Sequence, residues 1–219
     1  VGSSSLSGCA EEVLVRALAD GENGCPFVEA QAVSVAAAPK SAEAATLTLV
    51  AAERETMGNG FTDTLRGENA QAWSRAVEHR FVRELFDGAV AEPVMAGYLI
   101  QDHRFLDRFL LLVGAAIATA DTPAARLRLA RFAGDISGDE NTYFLRSFDA
   151  LGVSEPQRDA IPDTSATAGF KDLFGEAAAT RDYAVILAVL VVAEWLYLDW
   201  ASRAPDVLPE SFVHAEWIT

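Results

Sequence analysis

The stretch Tyr183–Trp200, YAVILAVLVVAEWLYLDW, decides the fold: it is apolar from Ala184 to Ala193 and is then broken by the carboxylate of Glu194. Its β-branched Val189, Val191 and Val192 would suit a buried strand. Strands of that kind end after roughly 4–8 residues, however, and this pattern runs far longer without Gly or Pro, so length predicts a helix. A membrane span needs about 20 apolar residues and is penalised by a central Glu, which favours a helix buried on most sides within a bundle. On that helix Glu194 shares a stripe with Leu190, Val191, Tyr197 and Leu198. A buried charge is costly unless it is paired, hydrogen-bonded or protonated, so Glu194 needs either a structural partner on another helix or a chemical task.

Composition narrows the range of functions. A formal net charge of -15 argues against nucleic acid as a partner, because phosphate binding draws its affinity from clustered Lys and Arg, and lysine is limited here to Lys40 and Lys171. Cys9 and Cys25 both precede the apolar body, so no disulfide staples it, and their spacing matches no zinc motif. Leu6-Ser7-Gly8-Cys9 has the letters of a lipoprotein cleavage site but lacks the charged and apolar regions of a signal peptide. The expectation is a cytoplasmic protein.

Residues 1–56 are Ala-rich and almost free of aromatics, which predicts a weakly ordered or appended N-terminal extension, with Met57 as a natural start. The domain proper is expected over 57–219. Thr62 or Thr64 is placed to cap a helix through Trp73 to about His79. Phe81, Val82, Leu85 and Phe86 form one face of the next helix, which stops at Gly88. Pro93 opens the longest helix, whose apolar stripe is Met95, Leu99, Asp102, Leu106, Phe109, Val113 and Ala116. Asp102 is thus a second carboxylate in a core-facing position, with Gln101, Arg104 and Arg108 read as the solvent side. A helix from Pro123 carries Leu127, Ala130, Phe132 and Ile136 and runs on through Glu140, Tyr143, Phe144, Ser147 and Phe148, at helical spacing, to Gly152. Pro156 and Pro162 bracket a connection, a short helix follows over 165–180, and SFVHAEWIT begins a last element.

With these elements in order, the chain from about Phe61 to Thr219 resembles the TenA/thiaminase II family, all-helical bundles of the haem-oxygenase-like fold. The stretches that carry the resemblance are HRFVRELFDGAV (79–90), YLIQDHRFL (98–106), ENTYF (140–144), AVLVVAEWLYLDWA (188–201) and EWI (216–218). The resemblance implies hydrolysis of an aminomethyl- or formylaminomethyl-pyrimidine in thiamin salvage, with thiaminase II activity in some members. Asp102 matches the pyrimidine-binding aspartate, and Tyr98 and Phe105 stand where the family places aromatics near the ring. Tyr143 and Tyr197 are further candidates for substrate binding. Many members carry a nucleophilic cysteine where this chain has Ala193 followed by Glu194, which implies the subclass that uses glutamate instead. The family continues past its Trp-Ile with more helices, so a chain stopping at Thr219 is expected to lack part of the pocket wall.

The residues therefore predict Glu194 and Asp102 as catalytic groups, with neither metal nor cofactor. His79, His103 and His214 lack the Glu-x-x-His pairing of a di-iron site. The expected partner is a small pyrimidine, with no nucleic acid or membrane, and the resemblance adds a homo-oligomer, often a tetramer. The competing reading is a non-catalytic helical protein that binds a small molecule or a partner.

Overall fold

The computed structural model describes residues 61–219, and the expectations for residues 1–56, Cys9, Cys25 and Met57 lie outside the described residues. Every regular element among the described residues is a helix, so the all-α reading holds.

The single helix expected up to His79 is two, α1 (Phe61–Glu68) and α2 (Ala70–Val77). Gly67 weakens the last turn of α1, and the Asn69 amide donates to the Leu65 carbonyl at 2.9 Å, a side-chain bond that competes with helix continuation. His79 begins the next helix instead of ending this one, its Nδ1 accepting from the Phe81 amide at 3.2 Å. Helix α3 (Arg80–Phe86) buries Phe81, Val82 and Leu85. The chain leaves it through Gly88 at φ +65°, where a Cβ would lie 3.0 Å from the Pro209 side chain, so both conformation and space call for glycine.

Helix α4 (Glu92–Thr119) is the central element, packing against α5 (Pro123–Asp135), α6 (Asn141–Ala150), α8 (Ser165–Thr180) and α9 (Tyr183–Ala201). Its expected stripe, Asp102 included, is buried throughout. The solvent side was misread at Gln101, which is 1% exposed. Its amide donates to the Pro162 carbonyl at 2.9 Å and accepts from the Thr164 amide at 3.0 Å and the Thr167 hydroxyl at 2.8 Å. These bonds clip α4 to the first turn of α8 and to the connection that follows the short helix α7 (Glu155–Ala160). Arg104 joins the same connection through Asp163 at 3.0 Å, whereas Arg108 is exposed as expected.

Helix α9 starts at Asp182, whose carboxylate accepts from the Ala184 amide at 2.9 Å. It buries Ile186, Val189, Leu190, Leu196, Tyr197 and Trp200, each large side chain contributing about 1.5–3 kcal/mol of transfer free energy. By length and composition α9 could cross a membrane, but here it is a bundle helix packed on α2, α4 and α8. Two members of the expected inward stripe do not fit: Val191 is 42% and Leu198 47% exposed, because those neighbours leave that edge of α9 uncovered. The last helix, α10 (Phe212–Ile218), packs on α3.

Candidate active site

Helix α4 points Asp102 inward at 4% exposure. Helix α9 brings Glu194, a partly buried residue whose Oε1 is nonetheless sealed from solvent and has no hydrogen-bond partner. A third carboxyl, that of Glu140, is 8% exposed, with Oε2 also sealed and unpartnered. Burial pushes the Glu140 carboxyl well above its ordinary value of 4.5, and the charges of Asp102 and Glu194 push it further in the same direction. Burial also raises Glu194 well above 4.5. Glu140 therefore lies within the field of both inward carboxylates, the one on α4 and the one on α9.

A five-residue π turn, Ile136–Glu140, supplies that third group. It joins α5, which buries no residue, to α6, which buries Tyr143, Phe144, Ser147 and Phe148. Ile136 and Glu140 both reach the interior from this turn, a type that occurs frequently at functional sites. Next to it, His103 of α4 holds Asn141 Oδ1 through Nε2 at 3.1 Å.

The hydroxyls of two of the expected tyrosines are engaged within the fold. Tyr143 donates its hydroxyl to the Val213 carbonyl at 2.6 Å, and Tyr197 donates to the Trp217 carbonyl at 2.6 Å, so both phenols fasten α10 to the site. Burial raises both phenols above the ordinary 10.0, with Asp102 adding to the effect on each. Tyr197 also feels the charges of Glu140 and Glu194, which raise it further. Trp217 lies 5.4 Å from the Tyr143 ring, 5.8 Å from Tyr98 and 6.3 Å from Tyr197. Tyr98 thus joins the site through Trp217. Phe105 turns instead into a phenylalanine cluster, 5.0 Å from Phe174, 5.3 Å from Phe170 and 5.7 Å from Phe109.

Of the predicted site residues, Asp102, Glu194, Tyr143 and Tyr197 come together, Tyr98 is linked through an indole, and Phe105 belongs mainly to the α4–α8 core. Glu140 and Trp217 were missed as site residues.

The family model for TENA/THI-4/PQQC proteins matches residues 68–219, which span all these groups. The chain belongs to that family. Among curated proteins it is similar to the aminopyrimidine aminohydrolase of Bacillus subtilis (strain 168), at 23% identity over 158 residues, covering 72% of this chain and 67% of the relative. Membership agrees with the all-helical architecture and with the order of motifs along the chain. As a member of this family, the chain sets its acidic residues inside the bundle on α4, the π turn and α9, between aromatic side chains. Such an arrangement can grip a flat ring by its hydrogen-bonding edge and move a proton within a region of low polarity.

Proposed function

We propose that the protein is an aminopyrimidine hydrolase of thiamin salvage that acts in the cytoplasm on an aminomethyl- or formylaminomethyl-pyrimidine. The observation that carries this reading is the burial of Asp102 and of an unpartnered Glu194 Oε1, both acting on Glu140, inside a member of this family. The similarity to an aminopyrimidine aminohydrolase supports the substrate class.

Asp102 accepts hydrogen bonds from the amino-bearing edge of the ring, and Tyr98, Tyr143 and Tyr197 wall its faces. Glu194 carries the proton. In the amine reaction, water forms a C–O bond to the exocyclic carbon as the C–N bond breaks, and the amine takes both bonding electrons. The proton lost by water passes to Glu194, and the leaving amine receives one from the same carboxyl, which suits a carboxylic acid whose pKa is raised by burial. In the formamide reaction the same group assists addition of water to the formyl carbon and protonates the departing amine. Because Ala193 offers no nucleophile, the chemistry assigned here is acid–base, and Glu194 takes the place that a cysteine fills in other members.

The test is turnover of both pyrimidines by the wild-type chain and by Glu194→Gln, with calorimetric binding of the hydroxymethyl product to each. Release of hydroxymethyl-pyrimidine by the wild type, lost in the variant while product binding survives, is the expected outcome. Product binding by the wild type without turnover of either substrate would make the chain a binding protein. Failure to bind the product would remove the pyrimidine reading altogether.

A further inference from the structure

The proposed hydrolysis leaves Glu140 without a task. It is a buried carboxyl held on a π turn, and its Oε2 reaches no donor or acceptor. Buried polar atoms are nearly always satisfied, so an orphan of this kind points to a partner that arrives from outside. Its surroundings decide the partner's chemistry. From α4 it is faced by Asp102, from α9 by Glu194 and Tyr197, and from the following turn of α6 by Tyr143. His103 is engaged next door with Asn141, and Arg126 of α5 turns away to the carbonyls of Ile117 and Ala120. Three carboxyls thus share one low-polarity region, and like charges so placed cannot all ionise. At least one proton has to stay.

We propose that Glu140 keeps that proton and is the site's hydrogen-bond donor to the ligand, so that a ring is recognised by a donor–acceptor pair, Glu140 donating to a ring nitrogen while Asp102 accepts from an amino group. The assignment of the ring rests on the function proposed above. The geometry favours Glu140 over Glu194 for the role. Glu140 is the more deeply enclosed of the two, 8% exposed and held on the π turn. Glu194 is also the partly exposed member, which suits a group that must exchange protons with water. The ligand class that follows is a flat nitrogen heteroaromatic with an amino substituent. A ring lacking the acceptor nitrogen would leave the Glu140 proton unpaired.

Two measurements test this. In the ligand-free chain, carboxyl carbon NMR across pH 4–10 should show Glu140 still protonated at neutral pH, the last of the buried carboxyls to titrate, and that signal should vanish in Glu140→Gln. In calorimetry with hydroxymethyl-aminopyrimidine, wild-type affinity should fall about tenfold per pH unit once Glu140 ionises. Glu140→Gln keeps a donor and should bind within about threefold of wild type at neutral pH with that alkaline loss removed. Glu140→Ala should bind about tenfold or more weakly, as loss of one buried hydrogen bond requires. A Glu140 carboxyl already ionised at pH 7 overturns the proposal. So does Glu140→Gln binding as weakly as Glu140→Ala, or retaining the wild-type pH dependence. If the wild type binds no aminopyrimidine, the functional reading and the ring assignment fall together, and the NMR titration still decides whether Glu140 holds the proton.

Discussion

Helix α9 carries two carboxylates in opposite circumstances. Asp199 is surrounded by donors: the Trp73 indole at 2.8 Å, Arg203 at 2.7 Å, and Arg66, whose guanidinium also lies 5.2 Å from the Trp73 ring and 5.3 Å from that of Trp195. Burial works against its charge, but those donors prevail and hold Asp199 below its ordinary 3.8. Glu194 has an orphaned oxygen and is driven the other way. On the proposed function, one helix therefore carries a structural acid and a chemical one, and the difference lies in the donors supplied by its neighbours. Where donors are provided, the charge holds α1 and α2 to α9. Where they are withheld, burial favours the protonated form.

The comparison breaks first on rate. Glu194→Gln should lose about 10²–10⁴ of turnover, the usual worth of general acid–base catalysis, while Asp199→Asn keeps turnover per folded molecule close to wild type. Single-turnover assays on both variants decide it, and equal losses would erase the distinction. Stability should divide the pair in the reverse sense. Asp199→Ala strands the Trp73 and arginine donors and should cost about 1–3 kcal/mol by urea unfolding, whereas Glu194→Gln should be neutral or stabilising above neutral pH.

The pH dependence of stability sharpens the contrast. Glu140 and Glu194 have folded values raised above 4.5, so the stability they contribute is complete below that value and is lost as pH rises through their folded values. Asp199 has a lowered value, so its contribution is complete above 3.8 and is lost as pH falls through the folded value. Urea midpoints should therefore decline from about pH 4.5 upward, and the decline should flatten in Glu140→Gln/Glu194→Gln. Asp199→Asn should alter the acid side alone. The smallest effect expected is that of Arg203→Gln, which removes one of several donors to Asp199 from an exposed position and should cost under about 1 kcal/mol without changing turnover.

How much of this could be read beforehand depended on what surrounded each polar residue in the sequence. Asp102 and Glu194 stand out because apolar neighbours at helical spacing leave a carboxylate no wet face. Glu140 sits in GDENTYF, beside Asp135 and Asp139, and an acidic run of that kind normally belongs to a solvated surface. Its one signal was its spacing to Tyr143, Phe144, Ser147 and Phe148, all buried. Gln101 was misplaced for a related reason: its partners lie at Pro162, Thr164 and Thr167, and local pattern does not show which distant backbone groups require a clip. Val191 and Leu198 failed in the opposite direction, since an apolar residue on a core helix reads as buried whether or not a neighbour covers it. The tyrosines were legible as inward aromatics. That their hydroxyls serve the carbonyls of α10 was not, because those bonds join residues 70 and 20 positions apart.

The π turn at Ile136–Glu140 has a consequence for how this chain tolerates insertions and deletions. Each residue of an α-helix advances the phase by about 100°, and a π turn amounts to one residue inserted into an otherwise continuous helical path. Removing a residue such as Gly138 would let α5 and α6 fuse into one helix with every side chain still in its original order. The widened turn absorbs the extra residue, so four residues in α geometry sweep nearly the angle that five sweep here, and the buried faces of Ile136 and Tyr143 would stay in register. A single-residue deletion in the turn should therefore shift the placement of Glu140 while sparing the burial of its flanks. This short segment is thus a place where the chain can shed a residue and keep both neighbouring faces.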